Sequence, residues 1–130
     1  MTDNDEAVRE ILRCTVSAWT ANDPDAFADL YAKDATVTLA NGTYLRGRDE
    51  IRAFMAAGFP GPLRATRGTD EPESVRLLGD DAGVVVSLSG FVLPAETAPT
   101  ADRARRATWV LSRRSDVWKV EAYANCPTTN

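Results

Sequence analysis

Residues 27–54 read FADLYAKDATVTLANGTYLRGRDEIRAF, and this stretch decides the fold. Phe27, Leu30 and Tyr31 fall on one side of a short helix, and Asp23-Pro24 before them supply an N-cap and a first-turn proline. Val37 and Leu39 alternate with Thr36 and Thr38 as a strand. Asn41-Gly42 then predicts a two-residue type I′ hairpin, and Thr43, Tyr44 and Leu45 form the return strand. A further helix opens at Gly47-Arg48, carries Ile51, Phe54 and Met55, and stops at Gly58 with Pro60 just beyond.

Upstream, Val8, Ile11, Leu12, Val16 and Trp19 recur at helical spacing and predict an amphipathic helix over 5–21. Thr15 lies on the same stripe, its hydroxyl expected to bond back to its own helix. Downstream the chain is strand-rich. The segment 60–72 reads as irregular, with a strand near 63–67. Strands follow over 74–78, 84–93, 103–114 and 117–124, with a tight turn at Ser115-Asp116. Helices first and long antiparallel strands after indicate one α+β domain over 1–130. It should be cone-shaped, with three helices packed on a curved, mostly antiparallel sheet that encloses a pocket.

Composition narrows the function. The chain has 130 residues, 44% hydrophobic and 26% charged, with a formal charge of −4. That balance argues against an electrostatic grip on nucleic acid or on an anionic membrane. Arg103, Arg105, Arg106, Arg113 and Arg114 are a local basic exception, read as a solvated sheet face. No apolar run approaches the length of a membrane span, and the N-terminal MTDNDEAVRE lacks the apolar core of a secretory signal. The expectation is a cytoplasmic protein whose Cys14 and Cys126 stay reduced and unpaired. There is no histidine. Histidine-based triads and dyads are therefore excluded, zinc or non-haem iron sites are disfavoured, and no glycine-rich phosphate cradle appears. No cofactor is expected. Catalysis, if any, falls to Asp, Glu, Tyr, Arg or a thiol.

Several short motifs occur in a specific order: Asn22-Asp23, then Phe27-Ala28-x-Leu30-Tyr31-Ala32-x-Asp34-Ala35, Gly47-Arg48-x-x-Ile51 and Trp118-Lys119-Val120. In that order and spacing the chain resembles the nuclear transport factor 2-like superfamily, with its SnoaL-like and ketosteroid-isomerase-like members. A narrower resemblance rests on Gly90-Phe91-Val92-Leu93-Pro94-Ala95-Glu96, Arg105-x-x-Thr108-Trp109-Val110-Leu111 and Tyr123-x-Asn125-Cys126-Pro127. These are similar to a branch associated with enediyne antibiotic clusters, which implies a role in polyketide biosynthesis. Members of that branch often carry histidine or glutamine where this chain has Ala124. The isomerase chemistry does not carry over, because the position matching the catalytic aspartate holds Leu39 and the one matching the helix-1 tyrosine holds Thr15.

The resemblance implies a pocket between sheet and helices. Trp19, Phe27, Tyr31, Phe54, Met55, Phe59, Phe91 and Trp109 are its candidate apolar wall, and Thr15, Ser89, Thr108, Tyr123 and Asn125 its candidate polar groups. Alternation puts Tyr123 and Asn125 on one face of the last strand, with Trp118, Val120, Ala122 and Ala124 on the other. Which face is concave stays open, as does whether Asn125 meets a ligand or caps backbone. Asp34 reads as a cap at the helix-to-strand corner and Glu121 as surface. The expected function is binding of a hydrophobic, polyketide-derived intermediate to assist its conversion. The alternative is a non-catalytic module docking on a synthase. Strands apolar on both faces further predict a homodimer.

Overall fold

The computed structural model describes residues 3–128. In chain order it holds α1 (Asp3–Thr20), α2 (Pro24–Ala28), β1 (Tyr31–Thr38), β2 (Tyr44–Arg46), α3 (Arg48–Gly58), β3 (Arg67–Leu77), β4 (Ala82–Val92), β5 (Arg105–Arg114) and β6 (Val117–Pro127). The six strands form one sheet in the order β2-β1-β6-β5-β4-β3. Its neighbours pair antiparallel except β1 and β6, which run parallel. The sheet is therefore mixed, curved and open, and α1 lies across β3 at one side while α2 and α3 pack together near β1.

The helices form where the sequence puts them, for local reasons. Asp3, Asp5 and Glu6 face the positive end of the α1 dipole, and Val8, Leu12, Thr15 and Ala18 are its buried stripe. Asn22 ends it in the left-handed region, φ 51°. Asp23 caps α2 by accepting a bond from the Ala26 amide at 3.0 Å. Gly47, φ 90°, turns the chain into α3.

The strands depart from expectation at four points. β1 starts at Tyr31, so Tyr31 belongs to the sheet and Asp34 is an exposed mid-strand residue, not a corner cap. The Asn41-Gly42 hairpin is not type I′: among the described residues only Gly42 of that pair has positive φ, 93°. The Gly42 amide bonds the Leu39 carbonyl at 2.9 Å, and the Leu39 amide bonds the Thr43 carbonyl at 2.9 Å. The loop thus has three residues and closes with glycine in a left-handed position. Asn41 contributes its Oδ1, which accepts from the Thr43 amide at 2.9 Å. The double positive φ occurs instead at Ser115 and Asp116, 51° and 63°, where β5 turns into β6. β3 spans 11 residues through Pro72, because β3 is an edge strand and its register shifts between Pro72 and Ser74.

The fourth departure sets the orientation of the whole C-terminal strand. Leu111 pairs with Val120 and Val110 with Ala122, which leaves Glu121 as an extra residue. The bulge reverses the alternation. Trp118 and Val120 therefore share the concave face with Tyr123 and Asn125, while Ala122 and Ala124 lie on the convex face beside Val110 and Thr108. Glu121 accepts from the Ser112 hydroxyl and pairs with Arg114 at 3.2 Å.

The core lies between the concave face and the helices, around Val8, Leu12, Tyr31, Ile51, Val85, Leu111 and Val120. Gly68 of β3 lets α1 approach closely, since a Cβ there would sit 3.1 Å from Trp19 Cβ and 3.2 Å from Trp19 Cγ. Both atoms are anchored to the helix backbone and have little freedom to move. Gly68→Ala should therefore destabilise the protein by about 1–3 kcal/mol. Urea unfolding should show a lower midpoint at unchanged slope, whereas an unchanged midpoint would mean that α1 shifts freely over β3.

Candidate functional site

A cavity of about 360 Å³ opens between the concave face and the three helices, lined mainly by apolar side chains. Trp19 is its structural hinge. It stacks on Phe91 (centroids 5.8 Å apart, 20° between planes) and meets Phe27 and Phe59 edge-on at 6.0 and 5.7 Å. Its indole N–H donates to the Thr66 hydroxyl at 2.9 Å, so the ring offers the cavity only its π surface. Trp109 meets Tyr123 edge-on at 4.5 Å on the sheet side.

Eleven of the thirteen candidates line this cavity, among them Thr15, Trp19, Tyr31, Phe54, Ser89, Phe91, Trp109, Tyr123 and Asn125. Thr108 does not. It pairs with Val86 and Ala124 and points, exposed, to the convex side, one step out of phase with Ala107 and Trp109. Phe59 is likewise not on the wall but buried behind Trp19. Phe27 and Met55 are on it.

Most of the polar candidates are already engaged. The Thr15 hydroxyl donates to the Leu12 carbonyl at 2.7 Å. Asn125 Oδ1 accepts from the Ala40 amide at 2.8 Å, and its Nδ2 donates to the Tyr123 hydroxyl at 3.0 Å. Asn125 therefore fastens the β1–β2 hairpin to β6 and orients Tyr123. The Tyr123 hydroxyl also lies 3.3 Å from Ser89 Oγ. Burial pushes the Tyr123 phenol above its ordinary range.

Asp70 of β3 is the residue that the sequence reading missed. It pairs in register with Ser89, lines the cavity, and sits at the end of a hydrogen-bond relay. The Trp109 indole N–H donates to Ser87 Oγ at 3.0 Å, and the Ser87 hydroxyl donates to Asp70 Oδ1 at 2.6 Å. Oδ2 is buried and has no hydrogen-bond partner among the described residues. Burial pushes the Asp70 carboxyl up to about 6, against the opposing pull of the Ser87 and Trp109 donors. Its signal in the sequence was an Asp in phase with Gly68 and Pro72, legible only once 67–77 is taken as a strand.

Tyr31 completes the group. It is buried, burial holds its phenol well above the ordinary range, and both Asp70 and Tyr123 lie near enough to add to that shift. Its hydroxyl has no hydrogen-bond partner among the described residues, yet the ring lines the cavity. Asp70, with its orphan carboxylate oxygen, and Tyr31, with its unspent phenol, thus both line one apolar chamber. Together they can accept a proton and donate a hydrogen bond. Among the described residues no three His, Cys, Asp or Glu side chains cluster as metal ligands, and Cys14 and Cys126 are unpaired thiols.

Comparison with known proteins agrees with this architecture. A domain with a cystatin-like fold from Nostoc punctiforme is 27% identical and superposes with a TM-score of 0.89 over 100% of this chain and 81% of that one. An NTF-2 like protein from Shewanella oneidensis is 18% identical (TM-score 0.78, 93% of this chain and 97% of the other). A ketosteroid isomerase-like protein from Erwinia carotovora is 15% identical (TM-score 0.77, 100% of both chains). At such identities the last two show the fold alone. No curated protein matches the sequence significantly. The SnoaL-like domain profile matches residues 2–124, nearly the full length, and the chain belongs to the SnoaL-like domain family.

Proposed function

We propose that the cavity binds a hydrophobic, polyketide-derived intermediate of bacterial secondary metabolism, of the enediyne type, and assists its conversion by moving a proton. The observation that carries this reading is Asp70 Oδ2, a buried carboxylate oxygen without a partner in an apolar chamber. Leaving such a group unpaired costs about 1–3 kcal/mol, and a ligand hydroxyl or acidic C–H would relieve it. A carboxyl of pKa about 6 is matched to proton exchange near neutrality. Leu39 and Thr15 cannot serve as the isomerase base and donor, so here Asp70 takes the proton, the electron pair moves into a conjugated carbonyl, and the neutral Tyr31 hydroxyl donates to the oxygen where charge develops. The proton then returns at another carbon, so atoms balance without a cofactor. A cavity of about 360 Å³ lies within the usual range for small-molecule sites.

The cytoplasmic dimer belongs to the same proposal. Leu88 and Val110 are each 36% exposed on the convex face, flanked there by half-buried Val84 and Val86. The helices cover only the concave face, and a second copy would cover the other. Light scattering at high micromolar concentration should give twice the chain mass; a monomer mass would remove the dimer.

A neutral probe, the methyl ester of a linear conjugated trienoic acid, should quench tryptophan fluorescence, because Trp19 and Trp109 line the cavity. With a β,γ-unsaturated ketone in D₂O, the wild type should catalyse deuterium exchange at the α-carbon. Asp70→Asn should lower that rate by about 10²–10⁴ while the ester still binds. Absence of quenching would overturn the binding reading, and exchange insensitive to Asp70→Asn would overturn the chemistry.

Asp70 also predicts a pH signature. Its pKa is raised in the fold, from 3.8 to about 6, so protonation favours the folded state. The contribution is fully present below about pH 4 and is lost as pH rises through about 6. The shift corresponds to about 3 kcal/mol at most. Glu10, Glu96 and Asp102, whose pKa values are lowered, work in the opposite sense. The measurement is therefore the difference between wild type and Asp70→Asn. Stability of the wild type relative to the variant should fall between pH 4 and 7, and a pH-independent difference would place Asp70 in solvent.

A further inference from the structure

Two arginines stand at the rim of the cavity, and their charges are handled differently. Arg103 is neutralised: its Nη2 donates to Glu96, and its guanidinium lies over the Phe91 ring at 5.5 Å. Arg105 is not. Its Nη1 donates to the backbone carbonyls of Asp102 and Ala104 at 2.9 and 3.0 Å, and no carboxylate among the described residues pairs with it. The Asp102 side chain is turned to the Thr100 hydroxyl. The two carbonyls hold the guanidinium in place by one nitrogen and leave the Nε–Nη2 edge unspent. That edge is the planar two-donor fork that matches a carboxylate.

The register of Arg105 places it on the cavity side of the sheet. β5 alternation puts it on the concave side in phase with Ala107 and Trp109, and it pairs in register with Ser89, which in turn pairs with Asp70. Asp70 does not neutralise it, since its Oδ1 is bonded to Ser87 one step deeper and its Oδ2 has no partner. The cavity therefore carries at its mouth a guanidinium that no carboxylate among the described residues pairs with, the Asp102 carboxylate acting on it only through space, and an apolar chamber behind it. We infer that the ligand is a carboxylic acid, its unsaturated chain inside the cavity and its carboxylate held at the rim by the Nε–Nη2 edge of Arg105. This deepens the reading that the cavity binds a hydrophobic intermediate and rests on it.

The test compares the linear conjugated trienoic acid with its methyl ester, by tryptophan quenching at pH 8, for wild type, Arg105→Gln and Arg105→Lys. The wild type should bind the acid about tenfold or more tightly than the ester, the increment of a charge-assisted pair. Arg105→Gln should abolish the preference while ester affinity stays unchanged, which also shows that the variant is folded. Arg105→Lys, with the charge but without the fork, should recover only part of it. Equal binding of acid and ester by the wild type, or a preference that survives Arg105→Gln, overturns the carboxylate and leaves the cavity reading intact. Failure of both probes to bind the wild type overturns the two together.

Discussion

One extra residue in β6 governs what this protein presents to its interior. Without the bulge at Glu121, the alternation that buries Trp118 and Val120 would send Tyr123 and Asn125 to the convex side. With it, the same strand seals the core at one end and furnishes the cavity at the other. Several features depend on that phase change. Tyr123 meets Trp109, Asn125 reaches the Ala40 amide to anchor the β1–β2 hairpin, and the Tyr123 hydroxyl comes beside Ser89. The bulge also supplies a polar residue, Glu121, where the convex face needs a partner for Ser112 and Arg114.

The cavity owes its character to polar groups left without partners in an apolar setting. Trp109 donates to Ser87, Ser87 donates to one oxygen of Asp70, and the other oxygen is left bare. Burial disfavours the ionised form and pushes the carboxyl up to about 6, against the pull of these donors. Cores normally satisfy such groups. Here the residues that carry the bare oxygen, the unspent hydroxyl and the free guanidinium edge, Asp70, Tyr31 and Arg105, all line one space. Each is a local departure from the rule that the rest of the fold obeys.

The helical half was legible because its signals are local. The Val8–Leu12 stripe, the Asp23-Pro24 start and the Gly47 turn each act within one or two turns of chain. The sheet was less so, because its decisive features involve neighbouring strands. Pro72 made 60–72 look irregular, since nothing local shows that β3 lies at an edge. That misreading hid Asp70. Glu121 resembles any surface glutamate until it is seen to have no residue opposite it in the register with β5. Thr108 was drawn toward the cavity by its neighbour Trp109, although adjacent strand residues face opposite ways. Arg105 was grouped with Arg106 as a solvated face, and register separates the two: one reaches the cavity rim, the other pairs with Glu73 outside.

The margins of the sheet have a consequence for how copies of this protein can meet. At one margin β2 is only three residues long. At the other, Pro72 withholds an amide hydrogen, the register slips beside it, and Glu71, Glu73 and Arg76 crowd the strand with exposed charge. Neither margin offers the long, flat row of free backbone groups on which a further strand could be templated. Lateral extension into a continuous ribbon, the route from native sheets to fibres, is therefore blocked at both ends. The apolar side chains that β4 and β5 leave exposed, Leu88 and Val110, lie on a face and not along an edge.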